Sequence, residues 1–116
     1  MENIKIENYK ELICDLLCEK VNFDICEKHL DVIIDEFEKI LNDINNNISD
    51  KRAIGILRSR YGVYDGEYKT FKIIGKKYNL SSSWASQIVA KRFRAITHPK
   101  YRKKFREILV PYEIAR

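Results

Sequence analysis

Apolar side chains recur at spacings of three and four residues along most of the chain, a pattern typical of helices that bury one face. The first such segment covers residues 6–19 and is interrupted at Val21. Its apolar side is formed by Tyr9, Leu12, Ile13, Leu16 and Leu17. We therefore expect an all-α protein that begins with a short amphipathic helix.

A stronger pattern follows between Ile25 and about Asn46, and Asp24 is placed to cap it. The apolar positions form a heptad-like seam of about three repeats. They are Cys26, Leu30, Ile33, Phe37, Ile40 and Ile44. Such a seam forms either a homodimer interface through residues 26–44 or one face of a helix packed within its own domain. Three repeats lie near the lower limit for a coiled coil, which favours packing within the chain.

Two further helices are predicted in the second half of the chain. Ser49 or Asp50 can cap a helix over residues 51–60, and Gly62 can end it because glycine adopts a left-handed backbone easily. The inward positions of this helix are Ala53, Ile56 and Leu57. Pro99 can begin the last helix, since its fixed φ suits a first helical turn. The apolar side of this last helix is formed by Tyr101, Phe105, Ile108 and Leu109.

The segment between these two helices predicts a helix-turn-helix, the unit that places its second helix in the major groove of DNA. Thr70 and Ser81 can cap its first and second helices. Gly75 lets the two helices approach closely, and Asn79 tolerates the left-handed backbone of a sharp turn. The second helix is expected over about residues 82–97. An ordinary helical hairpin is the alternative that this pattern alone leaves open.

The two halves of the chain carry opposite net charge. Residues 1–50 hold 5 Lys or Arg and 13 Asp or Glu, a balance of −8, whereas residues 51–116 hold 17 and 4, a balance of +13. A domain this basic attracts polyanions, of which nucleic acid is the usual one, although a solvated basic surface is not excluded. We divide the chain into an acidic helical segment, 1–48, that serves packing, masking or dimerisation, and a helix-turn-helix domain, 49–116.

Composition and motifs disfavour other classes of function. No apolar run approaches the ~20 residues of a membrane span and no signal peptide is present, so we expect a cytoplasmic protein without a membrane partner. The three cysteines are expected to be buried reduced thiols. Cys14, Cys18, Cys26 and His29 can be read as a zinc set, but their spacing is not that of a known finger, and we expect no metal. No catalytic constellation or glycine-rich phosphate loop appears, so we expect no enzyme, cofactor or small-molecule substrate.

A specific pattern over about residues 51–106 resembles region four of bacterial RNA polymerase sigma factors. In that family a helix ends in Leu-Arg-x-Arg-aromatic-Gly, a threonine caps the first motif helix, and His-Pro closes the unit. The matching residues are Leu57-Arg58-Ser59-Arg60-Tyr61-Gly62, Thr70, Gly75-Lys76, Gln87-Ile88, Ala90-Lys91 and His98-Pro99. The resemblance implies binding to double-stranded DNA. It covers the second half only, and because the promoter-opening region is absent we do not expect a complete sigma factor.

The resemblance implies two sets of DNA-contacting residues. Those at family positions that hold the DNA backbone are Arg52, Arg60, Thr70 and Lys91. Those at base-reading positions are Ser82, Ser83, Ser86 and Gln87. Housekeeping members carry arginine at the positions of Ser82 and Ser86 and glutamate at that of Ser83, whereas Gln87 keeps the family's identity. Because arginine is the usual reader of guanine, we expect a weaker or altered sequence preference.

Region four of the family also binds the flap of the polymerase β subunit through apolar side chains. The residues considered for a partner contact are Trp84, Phe105, Ile108 and Leu109. Trp84 can instead fold onto the helix pair or touch a sugar or thymine methyl group. Two functions are therefore open. The first is a sigma-like transcription regulator that binds promoter DNA and RNA polymerase, and the second is an interaction module that binds the flap, or a sigma partner, without reading DNA sequence.

Overall fold

Every regular element in the described part of this computed structural model is helical, which confirms the all-α prediction. The structure describes residues 4–48 and 50–112, and all of their side chains except those of Ile25 and Cys26. The α-helices are α1 (Ile6–Leu17), α2 (Leu30–Asn46), α3 (Ala53–Tyr61), α4 (Phe71–Tyr78), α5 (Ser82–Ile96) and α6 (Pro99–Leu109). Single 3-10 helices precede α2, over Phe23–His29, and follow α6, over Val110–Tyr112. None of these helices has the length and apolarity needed to cross a membrane.

One hydrophobic core combines the acidic and the basic halves of the chain. The Phe37 ring of α2 stacks on the Phe105 ring of α6, with centroids 5.0 Å apart. From the first half the core contains, among others, Tyr9, Leu12, Ile13, Leu16, Leu17, Leu30, Ile33, Ile34, Leu41 and Ile44; from the second half it contains Ile54, Leu57, Val63, Ile96 and Leu109. The first half therefore supplies most of the apolar surface on which α3, the end of α5 and α6 rest.

The same core decides between the two interpretations of the heptad-like seam. Leu30, Ile33, Phe37 and Ile44 are at most 4% exposed, because they pack against α1, α3 and α6 of the same chain. A homodimer through residues 26–44 would need these side chains at the surface. The dimer alternative is thus corrected, and packing within the chain, the favoured interpretation, is what the structure shows.

Glu38 of α2 joins three helices through polar contacts. Its carboxylate accepts a hydrogen bond from the hydroxyl of Tyr9 in α1 and pairs with the Arg58 guanidinium of α3, with Nη2 and Oε1 3.1 Å apart. Burial of the Tyr9 hydroxyl, strengthened by the negative charge of Glu38, raises the pKa of Tyr9 well above its ordinary value. The tyrosine stays neutral and donates, so the contact fixes α1 against α2 beside the core.

Several local predictions need correction. The segment that begins α2 is a 3-10 helix until His29, and its cap is Asn22, whose side chain accepts from the Asp24 N–H, rather than Asp24 itself. Helix α3 begins at Ala53, because Asp50 accepts the Arg52 N–H in a turn that precedes the helix. Ser49, the other proposed cap, lies outside the described residues. Cys18 is exposed at the left-handed end of α1 rather than buried, and Cys14 is half-buried.

The corner between α4 and α5 forms as predicted. The Thr70 hydroxyl accepts from the Ile73 N–H at 3.2 Å, and the Ser81 hydroxyl accepts from the Trp84 N–H at 3.0 Å. Asn79 takes the left-handed conformation at φ 59°. A small second core holds the corner together: Ala53, Ile56, Ile74, Ala85 and Ile88. The caps and this core fix the direction in which α5 leaves the body of the protein.

We predict that Gly75→Ala lowers the free energy of unfolding by about 1–3 kcal/mol, measured by urea denaturation. A methyl group at Gly75 would overlap with the carbonyl oxygen of Leu80, which is backbone and cannot move aside. Gly55→Ala in α3 is the matched control. Its methyl group would meet only the Tyr78 hydroxyl, at 3.0 Å, and the higher helix propensity of alanine offsets this by up to ~1 kcal/mol. Equal losses of stability in the two variants would contradict the close approach at Gly75.

Candidate nucleic-acid interface

The first turns of α5 present a polar surface to solvent. Ser82, Ser83 and Gln87 are exposed, and Ser86 is half-buried. The Gln87 amide donates to the Ser83 hydroxyl at 3.4 Å, so both side chains point in the same direction. The opposite side of the helix is buried through Ala85, Ile88 and Ile96. The residues predicted to read bases therefore share the open face of α5.

The residues predicted to hold the DNA backbone differ in how free they are. Lys91 is exposed on α5, and Thr70 is exposed while capping α4. Arg52 makes two hydrogen bonds to the Asp50 carboxylate, at 3.0 Å from Nε and 3.2 Å from Nη2. This contact with Arg52 also lowers the pKa of Asp50 below its usual range, so the carboxylate stays charged. A phosphate must therefore compete with Asp50 for the Arg52 guanidinium.

Arg60 is held within the protein by its neighbours. Its Nη1 donates to the Lys69 carbonyl oxygen at 2.6 Å, and its guanidinium lies over the Phe71 ring, 4.2 Å from the centroid. Both contacts fix the loop that leads into α4. Because a guanidinium carries five N–H donors, Arg60 retains donors for a phosphate, but its position is set by the loop and the ring.

On one side of α5 lies a groove of about 450 Å³ that we call the cationic groove. Its lining includes Asp50, Trp84, Gln87, Lys91, Arg92 and Arg94. Within residues 4–48 and 50–112, no ion pair joins Lys91, Arg92 or Arg94 to a carboxylate. Asp50 lies close enough to Arg92 for the positive charge of this arginine to help lower the pKa of Asp50. Trp84 is 50% exposed at the edge of this groove. The groove thus combines three cations with an aromatic face.

On the other side of α5 lies a groove of about 500 Å³ that we call the aromatic groove. Its walls are formed mainly by the rings of Tyr61, Tyr68, Phe71 and Phe93, and Ser86 and Ala90 of α5 border it. Glu11 and Asp15 of α1 stand at its rim. Ala90 lines both grooves, so α5 forms the ridge between them.

Both carboxylates at the rim of the aromatic groove act on tyrosines. The Tyr61 hydroxyl donates to Asp15, and burial together with this contact raises the pKa of Tyr61 well above its ordinary value. Burial and the neighbouring Glu11 raise the pKa of Tyr68 to about 12. Near neutral pH both tyrosines are therefore uncharged hydrogen-bond donors. Nothing in the local sequence signals this arrangement, because α1 lies far from α5 along the chain.

The candidate partner-binding residues are not equally accessible. Phe105 and Leu109 are completely buried in the main core, which corrects the expectation that they offer a surface to a partner. Ile108 is half-buried, and Trp84 is half-exposed rather than folded onto the helix pair. Trp84 is thus the accessible aromatic side chain among the four.

The cysteines and acidic residues show no metal arrangement in the part of the chain that the structure describes. No group of three or more His, Cys, Asp or Glu side chains there could hold a metal ion, and the side chain of Cys26 falls outside that part. Burial raises the pKa of the Cys14 thiol, which makes it a poor nucleophile at neutral pH.

Comparison with known proteins confirms the resemblance to sigma factors. The chain is 35% identical to RNA polymerase sigma factor SigA of Clostridium acetobutylicum over 71 residues, and this match covers 61% of this chain. It is 32% identical over 75 residues to SigA of a Nostoc species, which covers 65% of this chain. The match spans only 18% of the length of each of these relatives. No family model matches the chain, and no solved structure matches it significantly.

We predict that Thr70→Ala lowers the free energy of unfolding by about 1 kcal/mol, because the Ile73 N–H at the start of α4 loses its acceptor. Thr70→Ser keeps the hydroxyl and serves as the control, with a change of less than about 0.5 kcal/mol. Both values are obtained from urea denaturation. Equal stability of the alanine and serine variants would show that the cap contributes nothing to the corner.

Proposed function

We propose that this chain is a sigma-like transcription regulator that binds promoter DNA through the exposed face of α5 and contacts RNA polymerase. The observation that carries the proposal is the open polar face of Ser82, Ser83, Ser86 and Gln87, set on a strongly basic half of the chain. The similarity to SigA, an RNA polymerase sigma factor, supports a role in transcription. Because the match covers only 18% of each relative, the proposal concerns a region-four-like module and not the activity of a whole sigma factor.

The composition of the α5 face favours weak discrimination between sequences. Serine hydroxyls donate or accept with almost any base, whereas a bidentate arginine–guanine pair contributes ~1–3 kcal/mol of discrimination. Gln87 is long enough to pair with adenine, and its contact with Ser83 orients the amide outward. Contacts to phosphates, among them those of Lys91 and of the capped start of α4, then supply most of the affinity.

The contact with polymerase is supported by the name of the relatives, which are RNA polymerase sigma factors, and by one structural feature. Trp84 is half-exposed, and large exposed aromatic residues are enriched among side chains that dominate protein interfaces. Because the expected flap-binding residues Phe105 and Leu109 are buried, the partner surface must use Trp84 or the side of Ile108 instead.

A second function, an interaction module that no longer reads DNA, is favoured by the internal bonding of two predicted phosphate ligands. Arg52 is paired with Asp50, and Arg60 donates to the Lys69 carbonyl oxygen and lies over the Phe71 ring. Both guanidinium groups are therefore partly engaged within the protein and less available to phosphates. In this alternative the polar face of α5 remains in water and contacts no DNA. Trp84 is then the main contact with the flap or a sigma partner.

We expect the full chain to bind a labelled random-sequence duplex with an affinity that falls steeply as salt rises, measured by fluorescence anisotropy. Each neutralised phosphate contributes about −0.9 to the slope of log K against log salt, so a slope of about −3 or steeper indicates a real backbone interface. Gln87→Ala should leave this slope unchanged, because the amide would contact a base and not a phosphate.

The matched charge variant is Lys91→Gln, which should reduce the slope by about one and weaken binding on every sequence alike. A flat salt dependence, or no binding at low salt, would contradict the DNA-binding function and leave the interaction module as the better account.

A further inference from the structure

The recognition helix α5 separates two grooves of opposite charge. The cationic groove contains Lys91, Arg92 and Arg94, whereas the charged groups of the aromatic groove are Glu11, Asp15 and the internally bonded Arg60. In the cationic groove the one carboxylate, Asp50, is compensated by Arg52. The two flanks of α5 therefore offer very different environments to a phosphate.

A helix in the major groove of DNA has a phosphate backbone on each of its flanks, because the groove is only about 12 Å wide. With α5 in that position, one strand lies against the cationic groove and the other against the aromatic groove. The screening length is ~10 Å at 0.1 M salt, so charges at the rim of either groove act on the adjacent strand. Lys91, Arg92 and Arg94 attract it, while Glu11 and Asp15 repel it.

We propose that DNA takes its backbone contacts chiefly from the cationic groove, with Arg92 and Arg94 as phosphate ligands beside Lys91, and that Glu11 and Asp15 of α1 oppose binding on the other flank. This inference rests on the proposed function. It assigns a role in DNA binding to α1, which lies outside the region-four resemblance. It also means that Arg60, which lines the aromatic groove, contributes less to affinity than the resemblance implies.

The role of α1 cannot be tested by deleting the acidic segment, because that segment supplies most of the main core. Point variants that remove charge and keep shape are suitable instead. Asp15→Asn retains a carbonyl oxygen that can accept from the Tyr61 hydroxyl. Glu11→Gln likewise retains one that can accept from the Tyr68 hydroxyl. Arg92→Gln and Arg94→Gln keep most of the aliphatic stem. Matching thermal unfolding curves show that each variant is folded.

The test compares two opposite charge changes with two remote controls, in the full chain and with the same labelled random-sequence duplex. The double variant R92Q/R94Q is matched by K103Q/K104Q on α6, and E11Q/D15N is matched by D35N/E36Q on α2, where Asp35 is exposed and Glu36 is half-buried. Each pair changes net charge equally. Any difference within a pair therefore reports the position of the charges and not the total charge.

We expect R92Q/R94Q to weaken binding about tenfold at low salt and to reduce the salt slope by about two, against less than about twofold for K103Q/K104Q. We expect E11Q/D15N to tighten binding about threefold at ~0.05 M salt, with the gain gone at ~0.5 M, and D35N/E36Q to have little effect. Equal effects within either matched pair would overturn the inference.

The inference and the proposed function can fail separately. If the wild-type chain binds DNA with a steep salt slope and the matched pairs behave alike, the inference is wrong and the DNA-binding function stands. If the wild-type chain shows no salt-dependent binding, both are wrong.

Discussion

The packing of the acidic half against α3, α5 and α6 is the interaction on which the rest of the structure depends. The helix-turn-helix corner has only a small core of its own, built on Ala53, Ile56, Ile74, Ala85 and Ile88. The end of α5 is held in place because Ile96 enters the main core. The following helix, α6, is held there by Phe105, which stacks on Phe37. The acidic segment is therefore a structural scaffold, and the carboxylates of α1 are brought close to α5 as a consequence.

This arrangement decides what α5 can present to a partner. The corner is set by the close approach at Gly75, the left-handed turn at Asn79 and two side-chain caps, which together leave one face of α5 uncovered. That face carries serines and a glutamine where a strong guanine reader would carry arginine. In the proposed function, affinity for DNA must then come from charge around the face, and the charge differs between the two flanks of the helix.

Features that depend on local sequence were predictable, and those that depend on tertiary placement were not. The caps at Thr70 and Ser81 and the turn at Asn79 follow from local hydrogen bonding and backbone preference, and the structure contains them. The 3-10 helix before α2 was missed, since its apolar residues continue the α-helical pattern. Burial of Phe105 and Leu109, the pairing of Arg52 and the position of Glu11 and Asp15 beside α5 arise from contacts between distant segments, which no single-sequence pattern specifies.

The central claim is that a scaffold of two acidic helices holds a basic corner whose open face on α5 engages duplex DNA. The most direct test is a titration of the ¹⁵N-labelled full chain with duplex, followed by amide chemical shifts in NMR spectra. We predict that the largest shifts occur from Ser82 to Arg94 and at the start of α4, while the amides of α2 stay in place. Largest shifts on α2 or α6, or no shifts at low salt, would contradict the account.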